Sequence, residues 1–292
     1  MIIHSVFFVY LLGALFAVTV GAKFDIYRFI FVYIILLAGT FSAVYNNNYN
    51  DVNIDKNSTQ TFFSGGSKIL VEHPELLPIT KKLSLFFLGL SIFLGLIALF
   101  IFSYPVTFFL FVIIGNITGW YYTAPPIKLL YRGLGEIGTM FAAGFFVPGL
   151  GYFAMANKID SHFILLLIPL LFYGFSVSLY LEIPDRDADL QGHKNTLVVR
   201  KGLNIGFLLG AFFSFLATLS FLFYGFFHLT SGDINYWLVT ILSLIPSLVC
   251  IYSFINYKIQ RSKINSLAFI SAGSFFIFFI PLSIYFIYLL IK

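Results

Sequence analysis

The sequence predicts an all-α protein integral to a membrane, and three observations carry that prediction. Of its 292 residues, 60% are hydrophobic and only 10% charged, with a mean hydropathy of +0.95. Soluble domains carry about 25% charged residues, so a water-soluble fold has too few charges to cover 39 Phe and 18 Tyr. The apolar runs are continuous and about 20 residues long, the span of a bilayer as helix, where a barrel would alternate in segments of about ten. In lipid every backbone group needs an internal partner, and a helix supplies it.

Apolar windows divided by polar breaks give nine spans: 3–21, 26–48, 83–103, 106–123, 135–156, 161–182, 203–229, 236–257 and 265–291. They are read as one polytopic domain over 1–292. No Lys or Arg precedes the first apolar run, as a secretory signal would require, so 3–21 is read as the first membrane helix. The loops after even-numbered spans hold all of the 17 Lys and Arg except Lys23, Arg28, Lys158 and Lys292. By the positive-inside rule that side is cytoplasmic, with the N-terminus inside and the C-terminus outside. The net charge of +5 reflects this loop bias and calls for no nucleic acid. The single Cys250 excludes a disulfide framework and a thiolate metal site, and the five His are scattered.

Acidic residues cluster on the same side as the lysines, in two groups. Asp51 and Asp55 follow span two; Glu182, Asp185, Asp187 and Asp189 follow span six. Acidic side chains beside a membrane helix are costly unless paired or bound to a cation. In the stretch YNNNYNDVNIDKN, Asn47, Asp51 and Asp55 recur every four residues and fall within about 80° of a helix, or about 100° with Asn48. Glu182, Asp185 and Asp189 fall within about 60°, with Pro184 expected to kink their helix. An Asn-rich linker and solvated helix faces are the bland readings. Two carboxylate faces opposed across a bundle call instead for hard cations, and Mg²⁺ completes its octahedron with water and phosphate oxygens. A phosphate or diphosphate is the simplest missing ligand.

The remaining cytoplasmic loops fit such a ligand. Ser64, Gly65, Gly66, Ser67 and Lys68 form a short glycine-containing stretch able to present backbone N–H groups to an anion. Lys128 and Arg132 follow the rigid Ala124-Pro125-Pro126, and Lys194 follows the second carboxylate group. Positive-inside anchoring is the alternative for these cations.

Together these segments resemble the UbiA superfamily of intramembrane prenyltransferases. The first family motif, N-D-x-x-D-x-x-x-D, aligns from Asn47 to Asp55, with Asn48 where Asp is usual. The second is matched by Glu182, Asp185 and Asp189, then Gly192 and NTLVVRKG, with Glu182 replacing the first Asp. YYTAPPIKLLYRGLGE is similar to the family segment before the fifth helix, with Tyr122 and Lys128 at its Tyr and basic positions. The resemblance implies nine helices in one bundle around a central cavity opening to the cytoplasmic side. It implies that Asp51, Asp55, Asp185 and Asp189 are catalytic and hold Mg²⁺, two ions in all, with Asn47, Asn48 and Glu182 supporting. The diphosphate would meet Asn47, Asn48, Ser64, Lys68, Tyr122, Lys128, Arg132 and Lys194.

The implied reaction transfers a polyprenyl group from an allylic polyprenyl diphosphate in the membrane to an aromatic acceptor, by ionisation to an allylic carbocation. FFSGGSKILVE and the second motif look most like the 1,4-dihydroxy-2-naphthoate branch of menaquinone synthesis. Other acceptors (4-hydroxybenzoate, homogentisate or a lipid), a cation-coupled transporter and an inactive family member are the alternatives. No required protein partner is expected, and a prokaryotic plasma membrane is the expected location.

Overall fold

The computed structural model describes residues 2–56, 68–229 and 233–292, leaving aside the side chains of Ile2, Ile3, His4 and Asp55. Thirteen α-helices follow one another: α1 Ile2–Thr19, α2 Ile26–Asp55, α3 Ile69–Glu72, α4 Leu77–Ile101, α5 Val106–Trp120, α6 Gly135–Phe141, α7 Val147–Ala156, α8 Ser161–Glu182, α9 Arg186–Gln191, α10 Leu197–Lys201, α11 Leu203–Phe227, α12 Tyr236–Asn256 and α13 Ile264–Ile291. A π-helical turn, Ala142–Phe146, joins α6 to α7 in one run. There is no strand among the described residues.

Seven of the described segments are long and apolar enough to cross a membrane: Ile26–Ile54, Pro74–Ile101, Gly135–Ala156, Ser161–Glu182, Leu203–Phe227, Tyr236–Asn256 and Arg261–Ile291. The other two expected spans are shorter apolar helices, Ser5–Thr19 and Val106–Trp120. At 1.5 Å per residue the 15 residues of Val106–Trp120 make about 22 Å and the 18 of α1 about 27 Å, against a hydrocarbon thickness of about 30 Å. Val106–Trp120 stops early because Tyr121 and Tyr122 leave the helix for a turn whose composition is still apolar.

Local chemistry sets several helix starts. Asp25 accepts from the backbone N–H of Tyr27 and Arg28 at the start of α2, and Asn235 does the same for Trp237 and Leu238 at α12. Each satisfies a donor that the first turn leaves open. At the end of α8 Pro184 acts more strongly than the expected kink. The helix stops at Glu182, and a new short helix, α9, starts at Arg186. Proline has no N–H to give and its ring meets the carbonyl four residues earlier. Asp189 therefore lies on a different helix from Glu182.

The helices close into a ring. α2 packs on α4, α5 and α7; α7 packs on α1; α1 reaches α13; α13, α12, α11 and α8 follow; α8 meets α6, and the π turn returns to α5. The α1–α7 crossing is close because Gly13 and Gly151 face each other's backbones. A Cβ on Gly13 would sit 1.9 Å from the Pro148 carbonyl oxygen, and one on Gly151 2.0 Å from that of Tyr10. Lipid gives helices little hydrophobic reason to associate, so such small-residue contacts hold the bundle by van der Waals packing.

Candidate functional site

The helical spacing of the first motif is realised: α2 continues unbroken to Asp55 and carries Asn47, Asn48 and Asp51 on the way. The α2 end meets the segment after α8. There the Lys194 ammonium lies 3.1 Å from Asp51 Oδ2 and 3.0 Å from Asp189 Oδ1, so one cation joins the two motifs. All three side chains are nearly buried, at 11%, 12% and 7% exposure for Lys194, Asp51 and Asp189. Burial opposes the charge of Lys194, but the two carboxylates outweigh it and hold the ammonium above the ordinary lysine range. Tyr131 donates its hydroxyl to the other Asp51 oxygen, Oδ1, at 2.7 Å.

The backbone around Lys194 is pinned on three sides. Lys194 N–H donates to the Asp189 carbonyl at 2.9 Å and Asn195 N–H to that of Leu130 at 3.4 Å. Leu197 N–H donates to Glu136 Oε1. Gly192 makes the approach possible, since a Cβ there would lie 2.5 Å from Ile54 Cγ1 on α2.

The other expected site residues are placed unevenly around this centre. Asn47 accepts from Thr123 Oγ1 at 2.7 Å, and Asn48 is half-buried on α2. Tyr122 Oη receives the Thr139 hydroxyl at 3.2 Å. Lys128 sits with its Nζ 5.0 Å from the centre of the Tyr131 ring, beside the Asp51 contact. Arg132 is exposed and donates to the Pro126 carbonyl at 3.0 Å. Lys68 is half-buried at the start of α3. Glu182 is buried, accepts from Ser178 Oγ at 3.0 Å, and lies next to Glu136. Asp185 starts α9 and lines a second, polar cavity with Arg186, Asp187 and Arg261. Ser64 and the Asp55 side chain lie outside the described residues. Among the described residues no three Asp, Glu, His or Cys side chains converge as a metal-binding group.

A cavity of about 360 Å³ lies in the bundle, with Asn47, one turn of α2 from Asp51, in its wall. Asn47, Tyr122 and Thr139 are polar residues of its lining; Ile35, Leu36, Phe111, Phe146 and Leu150 give it apolar walls. The π turn contributes Ala142 and Ala143, as such turns often do at functional sites. A mostly apolar lining with polar residues beside the Asp51 turn suits an apolar chain that carries a polar group.

The family model of the UbiA prenyltransferase family matches residues 6–280. The chain belongs to the UbiA prenyltransferase family. It is an integral membrane protein of that family, with the UbiA fold. Solved structures agree in fold. A UbiA homologue from Aeropyrum pernix K1 in its apo form has a TM-score of 0.70 at 12% identity, covering 94% of this chain and 95% of that one. One from Archaeoglobus fulgidus bound to DMAPP and Mg²⁺ has a TM-score of 0.66 at 15% identity, covering 96% of each chain. A digeranylgeranylglyceryl phosphate synthase structure has a TM-score of 0.65 at 16% identity, covering 97% and 91%. No curated protein sequence matches this chain significantly.

In this UbiA chain the donor set fits a divalent cation. Asp51 and Asp189 already share one positive group, and oxygen-only ligands of this kind suit Mg²⁺. Three contributors escaped sequence reasoning: Tyr131, Thr123 and Glu136. All lie in or beside the segment singled out for Lys128 and Arg132. An acid at 136 within an apolar span was the available signal for one of them.

Proposed function

We propose that this UbiA family member is a Mg²⁺-dependent prenyltransferase. It moves a polyprenyl group from an allylic polyprenyl diphosphate to an aromatic quinone precursor, with 1,4-dihydroxy-2-naphthoate the leading acceptor. The observation that carries this reading is the Asp51–Lys194–Asp189 cluster one turn of α2 away from Asn47, which lines the apolar cavity. The archaeal homologue bound to DMAPP and Mg²⁺ supports the donor class and the metal.

The roles of the residues follow from their positions. Asp51 and Asp189 would hold Mg²⁺, with Asp55 and Asp185 completing the motif set, and Asn47, Asn48 and Glu182 supporting; two ions are proposed. Bound Mg²⁺ supplies electrostatic stabilisation of the departing diphosphate. Lys194, Lys128, Arg132 and Lys68 would add positive charge on the same side, and Ser64 a hydroxyl donor from the loop after α2. The Ile35, Phe111 and Phe146 walls keep water from the allylic cation, and aromatic faces favour positive charge. Tyr122 and Thr139, joined through their hydroxyls, would stand where chain and head group divide.

Ser5–Thr19 and Val106–Trp120 are proposed as membrane crossings too, giving nine, with the site and the N-terminus cytoplasmic in a prokaryotic plasma membrane. Loop charge supports that orientation.

The test is product formation by purified protein with an allylic polyprenyl diphosphate and a panel of acceptors: dihydroxynaphthoate, 4-hydroxybenzoate, homogentisate and glycerol-phosphate lipids. Each runs with Mg²⁺ or EDTA, beside Asp51→Asn and Asp189→Asn. A product that needs Mg²⁺ and vanishes in both variants supports the reading and names the acceptor. Unimpaired transfer in both variants, or in EDTA, refutes the site. If nothing is prenylated, Mg²⁺-dependent diphosphate binding is measured on the same sample, and its absence also refutes the site.

A further inference from the structure

We propose that Lys194 is a built-in counter-cation that competes with the divalent ion for Asp51 and Asp189, and passes to the diphosphate when the ion takes its place. The inference rests on the proposed metal site and deepens it. It starts from one contact pattern: the ammonium touches Asp51 Oδ2 and Asp189 Oδ1, one carboxylate from each motif.

Two nearly buried carboxylates brought this close repel unless a cation lies between them. Lys194 supplies it and holds the two motifs together. The same oxygens are the ones offered to Mg²⁺, so occupation by the ammonium and by the ion are mutually exclusive at each contact.

The surroundings separate what is fixed from what can move. The Lys194 backbone is held by the Asp189 carbonyl, while its neighbour Asn195 is held by Leu130 and Leu197 by Glu136. Asp51 is held independently, because Tyr131 binds Oδ1 and leaves Oδ2 for the cation. What can move is the four-carbon stem of Lys194, which carries a point charge on rotatable bonds and is held at its tip by the two ion pairs. Displacement therefore needs only side-chain rotation. Once released, the ammonium sits at the rim of a site that receives a diphosphate, and it recovers there the ionic contact it gave up.

The consequence is thermodynamic coupling. Lys194 weakens ion binding when no diphosphate is present, because its own contacts must break. With diphosphate present that loss is returned. Metal and diphosphate then bind cooperatively through one side chain, and the coupling is reciprocal.

The experiment measures Mn²⁺ binding to the purified full chain by electron paramagnetic resonance, with and without inorganic diphosphate. Lys194→Gln is expected to bind Mn²⁺ about tenfold tighter than wild type without diphosphate, within the range of ordinary coupling. Lys194→Arg, whose planar fork can bridge both carboxylates, is expected to bind it more weakly than wild type. Diphosphate is expected to raise Mn²⁺ affinity more in wild type than in Lys194→Gln. Lys128→Gln controls for repulsion at a distance and is expected to change the metal-only affinity far less.

Equal or weaker Mn²⁺ binding by Lys194→Gln, or an equal gain from diphosphate in both proteins, overturns the competition while leaving the metal site standing. No Mn²⁺ binding by wild type under either condition overturns the metal site and the inference together. Should Lys194→Gln not fold, amine-reactive labelling of wild type gives the answer without a variant. Mn²⁺ is expected to raise Lys194 labelling and added diphosphate to lower it again; labelling unmoved by Mn²⁺ overturns the proposal.

Discussion

Tyr131 Oη lies 2.7 Å from Asp51 Oδ1, linking the loop that leaves α5 to the carboxylate that α2 presents. A hydrogen bond to a charged group contributes about 1.5–3 kcal/mol. Tyr131→Phe keeps the ring over which Lys128 lies and removes only the donor. Prenyl transfer is expected to fall about tenfold, the equivalent of about 1.4 kcal/mol. Steady-state rates with the donor at saturation check this, and an unchanged rate would make the contact incidental.

Glu136 reaches the site through the backbone. Its Oε1 receives Leu197 N–H at the start of α10, two residues past the Lys194–Asn195 pair. Glu136→Ala removes the acceptor of that part-buried N–H, at a cost of about 1 kcal/mol. The expected result is a lower Tm for Glu136→Ala and a substantially restored one for Glu136→Gln, whose amide oxygen still accepts. Thermal unfolding in detergent compares the two.

Ala43 lines the apolar cavity, on α2 between Leu36 and Asn47. A Phe at that position would fill space that a long isoprenoid chain needs and a short one does not. The ratio of kcat/KM for long over short allylic diphosphates is expected to drop about tenfold in Ala43→Phe. An unaltered ratio would place the chain elsewhere.

Asp160 caps α8 and also receives the Tyr152 hydroxyl at 2.6 Å. Burial pushes its carboxyl up, but the Tyr152 bond, Lys158 and the Phe163 N–H outweigh burial and hold it below the usual range. Its folded value thus lies under its unfolded value of about 3.9. The stabilisation is present above that pH and is lost as pH falls through the folded value. Asp160→Asn is therefore expected to have a lower Tm than wild type at neutral pH, with the gap closing in acid. A constant gap from pH 7 to 3 would assign the effect to shape alone.

The membrane character, the helical course of most spans and the presence of a charged site were all readable in the chain. So was the placing of Asn47 and Asp51 on one continuing helix, because four-residue spacing is a local property and α2 carries it through. The end of α5 was less readable. Apolar Tyr121 and Tyr122 extend a hydropathy window past the point where hydrogen bonding turns. A likeness of motifs pointed to the family, which the match over residues 6–280 then established.

Which groups meet was a different matter. Lys194 was one of several loop cations by sequence, yet among the described residues it alone joins Asp51 to Asp189. Pro184 was expected to bend a helix and instead ends it, redirecting Asp189 while Asp185 lines another cavity. Gly192 matters because Ile54, far away in the chain, occupies the space its side chain would take. By itself the sequence determined the elements and their polar faces, since periodicity and composition act over a few residues. The tertiary structure decided the pairings, because an ion pair across the bundle depends on where two helix ends arrive, and that is set by the packing of the whole ring.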